Sequence, residues 1–322
     1  MHKDSLIYVA GHRGLVGAAI CRQLRQQGYH RLLLRSHAEL DLTDTLAVRE
    51  FFDQERPAYV FLAAAKVGGI LANQLYPADF IRENLFIQTN VIDACYRARV
   101  DRLLFLGSSC IYPKLCPQPI KEEYLLTGPL EPTNSAYALA KIAGIEMCWS
   151  YNRQFKTRYL AAMPSNLYGP GDNFDPQNSH VLPSLIRKVA EAKALGHTQV
   201  AVWGTGTPRR ELLFSEDLAE ACVFLMNLED EVYAGLLTGV PLINIGTGKD
   251  VTIRELAEQV CAALDFDGEL VFDTSKPDGT PQKLLDGSRI QKLGWHAKTT
   301  LAQGISLTYD AARPQLEALT AR

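Results

Sequence analysis

VAGHRGLVGAAI, residues 9–20, is the stretch on which the fold turns. It starts at the end of an apolar run, SLIYVAG, of the right length for a buried strand. It leads into residues 15–27, where apolar positions recur with helical period. Between the two stand Gly11, Gly14 and Gly17. Without a Cβ, glycines permit a tight strand-to-helix turn and close backbone approach, and the free N–H groups of a first helical turn suit a pyrophosphate. The turn, with His12, Arg13, Leu15 and Val16, reads as a dinucleotide-binding loop. A lone glycine triplet is a weak signal. The elements on either side of it make it specific.

Working outward, apolar runs alternate with helical patterns. RLLLR predicts a second strand, and Thr43 or Asp44 caps a helix through residue 54. YVFLAAA is a third strand, 79–98 a long helix, RLLFLGSS a fourth strand and 134–153 another helix. YLAAMPSNLYGPG opens as a fifth strand. Strands that are apolar throughout and separated by helices indicate a parallel sheet covered on both faces. After about Pro164 the alternation loosens. Helical patterns at 182–194, 216–228 and 253–263 mix with QVAVWG, LINIG and ELVF and with Pro/Gly-rich loops. The expected class is α/β. A Rossmann-type doubly wound parallel sheet occupies 1–165, and a smaller C-terminal α/β substrate lobe 166–322, with segments near 210–250 returning to the first.

Composition narrows the function. The 322 residues are 47% apolar with a net charge of −3, which gives no electrostatic reason to expect nucleic-acid or membrane partners. No apolar run is long enough to span a bilayer, and MHKDSLIYVAG has no signal-peptide core. Cysteines at 21, 95, 110, 116, 148, 222 and 261 are odd in number and scattered, with no Cys/His cluster for a metal. A soluble, cytoplasmic protein with free thiols is expected, and no metal.

The second strand's end chooses the dinucleotide. NAD sites place an acid about 20 residues past the glycines to hold the ribose 2′-OH. Here the place is taken by Arg35, Ser36 and His37, and Arg13 adds a cation in the glycine turn. Guanidinium groups attract a 2′-phosphate that a carboxylate would repel. NADP(H) is the expected cofactor, although Glu39 stands close by; Asp41 marks the turn near the adenine. Further on, SAYALAKIAG sets Tyr137 and Lys141 four apart on one helix face. A nearby ammonium and a cationic nicotinamide favour phenolate, so Tyr137 can pass a proton to or from a carbinol oxygen. Ser108 or Ser109, at the fourth strand's carboxyl end, can hydrogen-bond the same oxygen.

These residues resemble the extended short-chain dehydrogenase/reductases that act on nucleotide sugars. The blocks AGHRGLVG, LAAAKVGGI, LGSSCIYPK, EPTNSAYALAKIAGI, NLYGPGDNF, NSHVLP and KPDGTPQKLLD, in that order, resemble the GDP-L-fucose synthase family within them. The resemblance covers nearly the whole chain. It implies NADPH-dependent conversion of GDP-4-keto-6-deoxy-D-mannose to GDP-L-fucose, by inversion at C3 and C5 and then reduction at C4. It implies that Ser108 and Tyr137 hold the C4 oxygen, Lys141 the nicotinamide ribose, Cys110 the base and His180 the acid. Taken alone, Cys110 reads as a structural thiol and His180 as an ordinary histidine. Leu106, Gly107, Ser109, Pro164, Asn166, Leu167 and His180 are implied as further cofactor contacts. Lys188, Trp203, Arg210, Asp278 and Lys283 are implied for the GDP moiety. His37 departs from the arginine that relatives often carry, and the surroundings of Cys116 and the last 25 residues are less family-like.

Competing readings are another nucleotide-sugar 4-epimerase or 4-reductase and, remotely, a non-enzymatic NADP sensor. A 4-epimerase needs neither Cys110 nor His180. A dehydratase would show an Asp–Glu pair where this chain has Ser109 and Cys110. The helices at 79–98 and 134–153 carry enough apolar residues for the four-helix homodimer interface that the resemblance implies.

Overall fold

The computed structural model describes residues 1–176, 179–276 and 278–320. The first half alternates as expected. β1 (Ile7–Ala10) is followed by α1 (Leu15–Gln26), β2 (Leu32–Leu33), α2 (Thr45–Glu55) and β3 (Tyr59–Leu62). A short α3 (Ile70–Leu75) precedes the long α4 (Pro77–Arg97), then β4 (Arg102–Leu106), α5 (Ser135–Phe155) and β5 (Tyr159–Pro164). Asp44, not Thr43, caps α2, its carboxylate accepting from Leu46 N at 2.9 Å and Ala47 N at 3.1 Å.

The second half adds β6 (Asn166–Tyr168), α6 (Val181–Leu195), β7 (Gln199–Trp203), β8 (Arg209–Phe214) and α7 (Ser215–Met226). It continues with α8 (Asp230–Leu236), β9 (Leu242–Ile245), β10 (Asp250–Thr252), α9 (Ile253–Ala263) and β11 (Glu269–Asp273). It closes with β12 (Gln282–Lys283), α10 (Ser288–Lys292) and α11 (Leu301–Thr320).

The central sheet has six parallel strands in the order β2-β1-β3-β4-β5-β9. Its faces are both buried, and β4 shows how: Leu103 and Phe105 join one apolar cluster, Leu104 and Leu106 the other. α7 helps cover the same face as α1, with Leu218, Cys222 and Leu225 packed into the cluster that holds Ile20 and Leu24. A third cluster lies among α6, α9, α11 and the strands around β8. There β8 pairs with β6, β10 and β12, while β7 pairs with β11 in a separate two-stranded sheet. The strand order reverses at β1, with β2 on one side and β3 on the other, so the crevice lies at the carboxyl ends of β1 and β3.

Candidate active site

Gly11 follows β1 with φ of 83°, a left-handed conformation that strains other residues, and a Cβ there would come within 2.7 Å of the Ala64 backbone. A Cβ on Gly17 would collide with the Gly11 carbonyl. The turn closes with Gly14 N donating to Gly11 O at 3.0 Å. Gly14 caps α1 and has no side chain to accept from the N–H groups of the first helical turn. His12 Nδ1 is buried with no hydrogen-bond partner among the described residues. A cradle that excludes Cβ atoms, open N–H groups and an orphaned ring nitrogen fit the diphosphate of a dinucleotide.

Past β2 the charges sort themselves. Arg35 is held by Glu55 at 2.7 Å, with its guanidinium over the Phe51 ring. The Glu39 carboxylate turns back to accept from Ser36 N at 2.7 Å and Ser36 Oγ at 2.6 Å, which holds its pKa down. Asp41 accepts from Thr43 N and Oγ1, and lies 3.7 Å from the exposed His37 ring. Arg13 is exposed.

The fourth strand delivers the chemistry. Ser108 follows Gly107 at its end, and its Oγ accepts from Cys110 N at 3.4 Å as the chain enters a short helical turn. The Ser108 side chain also lies close enough to the Tyr137 phenol and the Cys110 thiol to oppose the rise of each pKa. α5 carries Tyr137 and Lys141 one turn apart. The Lys141 ammonium is buried, donates to Leu106 O at 2.8 Å, and lies 5.8 Å from the Tyr137 ring centroid. Burial lowers Lys141 to about 8. Burial pushes the Tyr137 phenol up, Cys110 adds to the rise, and Ser108 opposes it. The protein alone therefore keeps Tyr137 protonated rather than drawing it toward phenolate, as suits a proton donor. Cys110 is buried; burial raises its pKa, opposed by Lys283, Ser108 and Lys141 in that order.

His180 is the N-cap of α6 and makes no cap bond with its side chain. Its ring reaches solvent, yet surrounding protein displaces enough water to lower its pKa. No hydrogen bond joins it to the Ser108 group among the described residues. Ser109 is buried; Pro164 ends β5, Asn166 Nδ2 donates to Glu211 O at 3.2 Å, and Leu167 packs on the cluster beneath the sheet.

In the second half of the chain Trp203 is 64% exposed. The Lys188 ammonium, bonded to Ala201 O, is 5.4 Å from its ring centroid. Arg210 Nη1 donates to Arg209 O and Thr280 O, and burial lowers its pKa. The Asp278 carboxylate accepts from Thr205 N at 3.0 Å and Thr205 Oγ1 at 2.8 Å, pinning the 204–207 turn. Lys283 is half-buried on β12, in register with Arg210.

The chain matches the model of the NAD dependent epimerase/dehydratase family over residues 7–246. It is 58% identical to GDP-L-fucose synthase 1 of Arabidopsis thaliana, over 96% of this chain and 93% of that one. It is 54% identical to the GDP-L-fucose synthase of Escherichia coli K12, over 94% and 95%. The chain belongs to the GDP-L-fucose synthase family. Similarity extends to a solved GDP-mannoheptose C4 reductase of Campylobacter jejuni with NADP bound: 40% identity, TM-score 0.89, covering 97% and 99%.

Within this GDP-L-fucose synthase family member, two residues at the site escaped sequence reasoning. Lys276 brings a second ammonium within 5.5 Å of the Trp203 ring centroid. Glu211 is fully buried, and its carboxylate accepts from Gly248 N at 2.7 Å, Leu285 N at 2.8 Å and Thr247 Oγ1 at 3.4 Å. Burial pushes it up to about 7. Beside two arginines, an acid reads as a surface ion pair. Only β8's central place between β10 and β12 reveals its burial.

Proposed function

We propose that this chain converts GDP-4-keto-6-deoxy-D-mannose to GDP-L-fucose, inverting C3 and C5 and then reducing the C4 ketone, with NADP(H) as cofactor. The observation that carries this reading is a buried cysteine in the serine–tyrosine–lysine group: Cys110 N donates to Ser108 Oγ at 3.4 Å, and Lys141 Nζ lies 5.8 Å from the Tyr137 ring centroid. A 4-epimerase or a plain reductase has use for that group and none for the thiol.

The C4 ketone acidifies the hydrogens at C3 and C5. Cys110 as thiolate takes such a proton; the C–H pair moves onto the C4 oxygen, and the Ser108 and Tyr137 hydroxyls hold the resulting enolate. His180, whose pKa burial lowers, returns a proton to the opposite face. Bound NADPH supplies the hydride for the final step. Tyr137, kept protonated by burial, then donates its proton to the C4 oxygen. Lys141 holds the nicotinamide ribose. Gly11, Gly14 and Gly17 with His12 seat the diphosphate, Arg13 and His37 meet the 2′-phosphate, and Arg35 supports from its bond to Glu55. Lys188, Trp203 and Arg210 take the GDP moiety, with Lys283 in register beside Arg210 and Asp278 ordering the turn near them.

The remaining expectations stand as parts of this proposal. The cofactor lobe spans residues 1–165 and the substrate lobe mainly 166–322. The chain works in the cytoplasm, in keeping with seven unpaired cysteines. No helix among the described residues is long and apolar enough to cross a membrane.

Incubation with GDP-4-keto-6-deoxy-D-mannose and NADPH in deuterated water tests the reading. Nicotinamide absorbance should fall, and NMR should find deuterium at C3 and C5 of the GDP-L-fucose formed. NADPH loss without deuterium would make the protein a C4 reductase, the activity named for its Campylobacter neighbour.

A further inference from the structure

We propose that Lys283 makes Cys110 a base: its ammonium faces the thiol and stabilises the thiolate, while Arg210 on the adjacent strand is left to grip the diphosphate. This deepens the epimerase reading above and rests on it.

The placement follows from how β12 is held. On one edge, Lys283 pairs in register with Arg210 of β8. On the other, the strand is stitched to the segment that follows Cys110. Gln118 Nε2 donates to Gln282 O at 3.4 Å, and Leu284 N donates to Gln118 Oε1 at 2.9 Å. Ile120 N donates to Leu284 O at 2.7 Å, and Asp286 N to Ile120 O at 2.8 Å. From below, Glu211 accepts Leu285 N at 2.8 Å. Lys283 is thus fixed between the diphosphate arginine and the loop that carries the thiol.

The groups that face the pair can be named. Cys110 interacts with Lys283 of β12, with Ser108 on its own loop, and with Tyr137 and Lys141 of α5. Lys283 interacts electrostatically with Cys110 and Cys116, with Arg210 of β8, and with Glu131 from the loop before α5. Glu131 is already paired with Lys114 at 2.9 Å. Lys141 is committed to the Leu106 carbonyl. The Lys283 ammonium makes no hydrogen bond or ion pair among the described residues. At Cys110, Lys283 opposes the effect of burial more strongly than Ser108 or Lys141 does. At Lys283, Cys110 is the strongest group favouring the ammonium.

Burial penalises a lone thiolate and a lone ammonium alike, but a facing pair is neutral overall and attracts strongly away from bulk water. The thiol proton leaves to solvent as the thiolate forms. In the turnover step the sugar C–H bond breaks, an S–H bond forms, and the electron pair passes to the enolate. Lys283 keeps its proton throughout, so it is a positioning residue.

Alkylation of Cys110 by iodoacetamide across a pH series tests this. The full chain carries NADPH, and the Cys110 peptide is read by mass so that half-exposed Cys116 is scored separately. Lys283→Met and Lys283→Gln should each move the midpoint up by about one unit or more, the shift expected when a facing opposite charge is removed. Alkylation near neutral pH then slows about tenfold. Lys283→Arg should restore the profile. At saturating sugar, deuterium exchange at C3 and C5 should fall with the same order. An unmoved profile with a raised KM for the GDP-sugar would overturn the proposal and leave Lys283 to the diphosphate. Thiol titration needs no sugar. A shifted profile with no exchange even in the unmodified protein would therefore sink the epimerase reading alone.

Discussion

Cys110 is legible as a cysteine at a strand end and nothing more until Ser108, Tyr137 and Lys283 are set around it. Cys110→Ser keeps the size of the side chain but raises the cost of the anion. C3/C5 exchange should fall by about a hundredfold or more, the range for losing a general base, with NADPH affinity unchanged. Exchange at near-normal rate would return the thiol to a structural role. On the proposed mechanism, Tyr137→Phe removes the proton donor and one of the two groups on the ketone oxygen. NADPH consumption should drop by about the same factor, with less effect on thiol alkylation. The Tyr/Lys spacing and the glycine turn could be read from sequence because both are local, fixed by one helix and one loop. Glu211 could not, because its burial comes from three segments far apart in the chain.

At the scale of elements, strand and helix signals held where the pattern was apolar and periodic. All five strands of the first half and the helix at Ile253–Ala263 fall where the apolar runs place them. Two-residue β12 and three-residue β10 have no apolar pattern of their own. They are strands because β8 offers them its edges and Glu211 ties down both flanking turns. Glu211→Gln exchanges an acceptor for a donor against Leu285 N or Gly248 N, so it should cost about 1–3 kcal/mol at neutral pH. The sign of its pH dependence follows from the raised pKa, about 7 against an ordinary 4.5. The buried carboxylate costs stability above pH 7, and that cost is relieved as pH falls through 7 toward 4.5. The thermal-stability gap between wild type and variant should therefore narrow as pH rises from 4.5 to 7. A gap independent of pH would mean that Glu211 titrates elsewhere. Gly17→Ala acts on the other element of the site. Its methyl group meets the Gly11 carbonyl, so the turn must open, and NADPH affinity should fall at least tenfold while the far lobe keeps its fold.

For the molecule as a whole, α4 and α5 raise the question of a second copy. Both pack inward through Val91, Cys95, Ile145 and Cys148, yet they leave Phe86 47%, Leu139 48%, Tyr96 37% and Phe155 38% exposed. Tyr96 stacks on Phe155 at 4.2 Å and meets Tyr151 edge-on at 5.6 Å, so the two helices already share an aromatic ridge at the surface. Scattered exposed apolar residues need no explanation, but four on one helix pair suit burial against a symmetry mate. A stable dimer interface buries about 800 Å² per partner, roughly what a pair of helices of this length can offer. Light scattering after size exclusion should give twice the chain mass at micromolar concentration. Phe86→Glu with Leu139→Glu should give the monomer, because two carboxylates cannot be buried unpaired against their copies. α5 also carries Tyr137 and Lys141. The monomeric variant should therefore unfold at lower temperature and lose turnover in proportion to any loosening of that helix. A wild type that stays monomeric across the concentration range would mean that the ridge is plain surface, and α5 is held by the sheet alone.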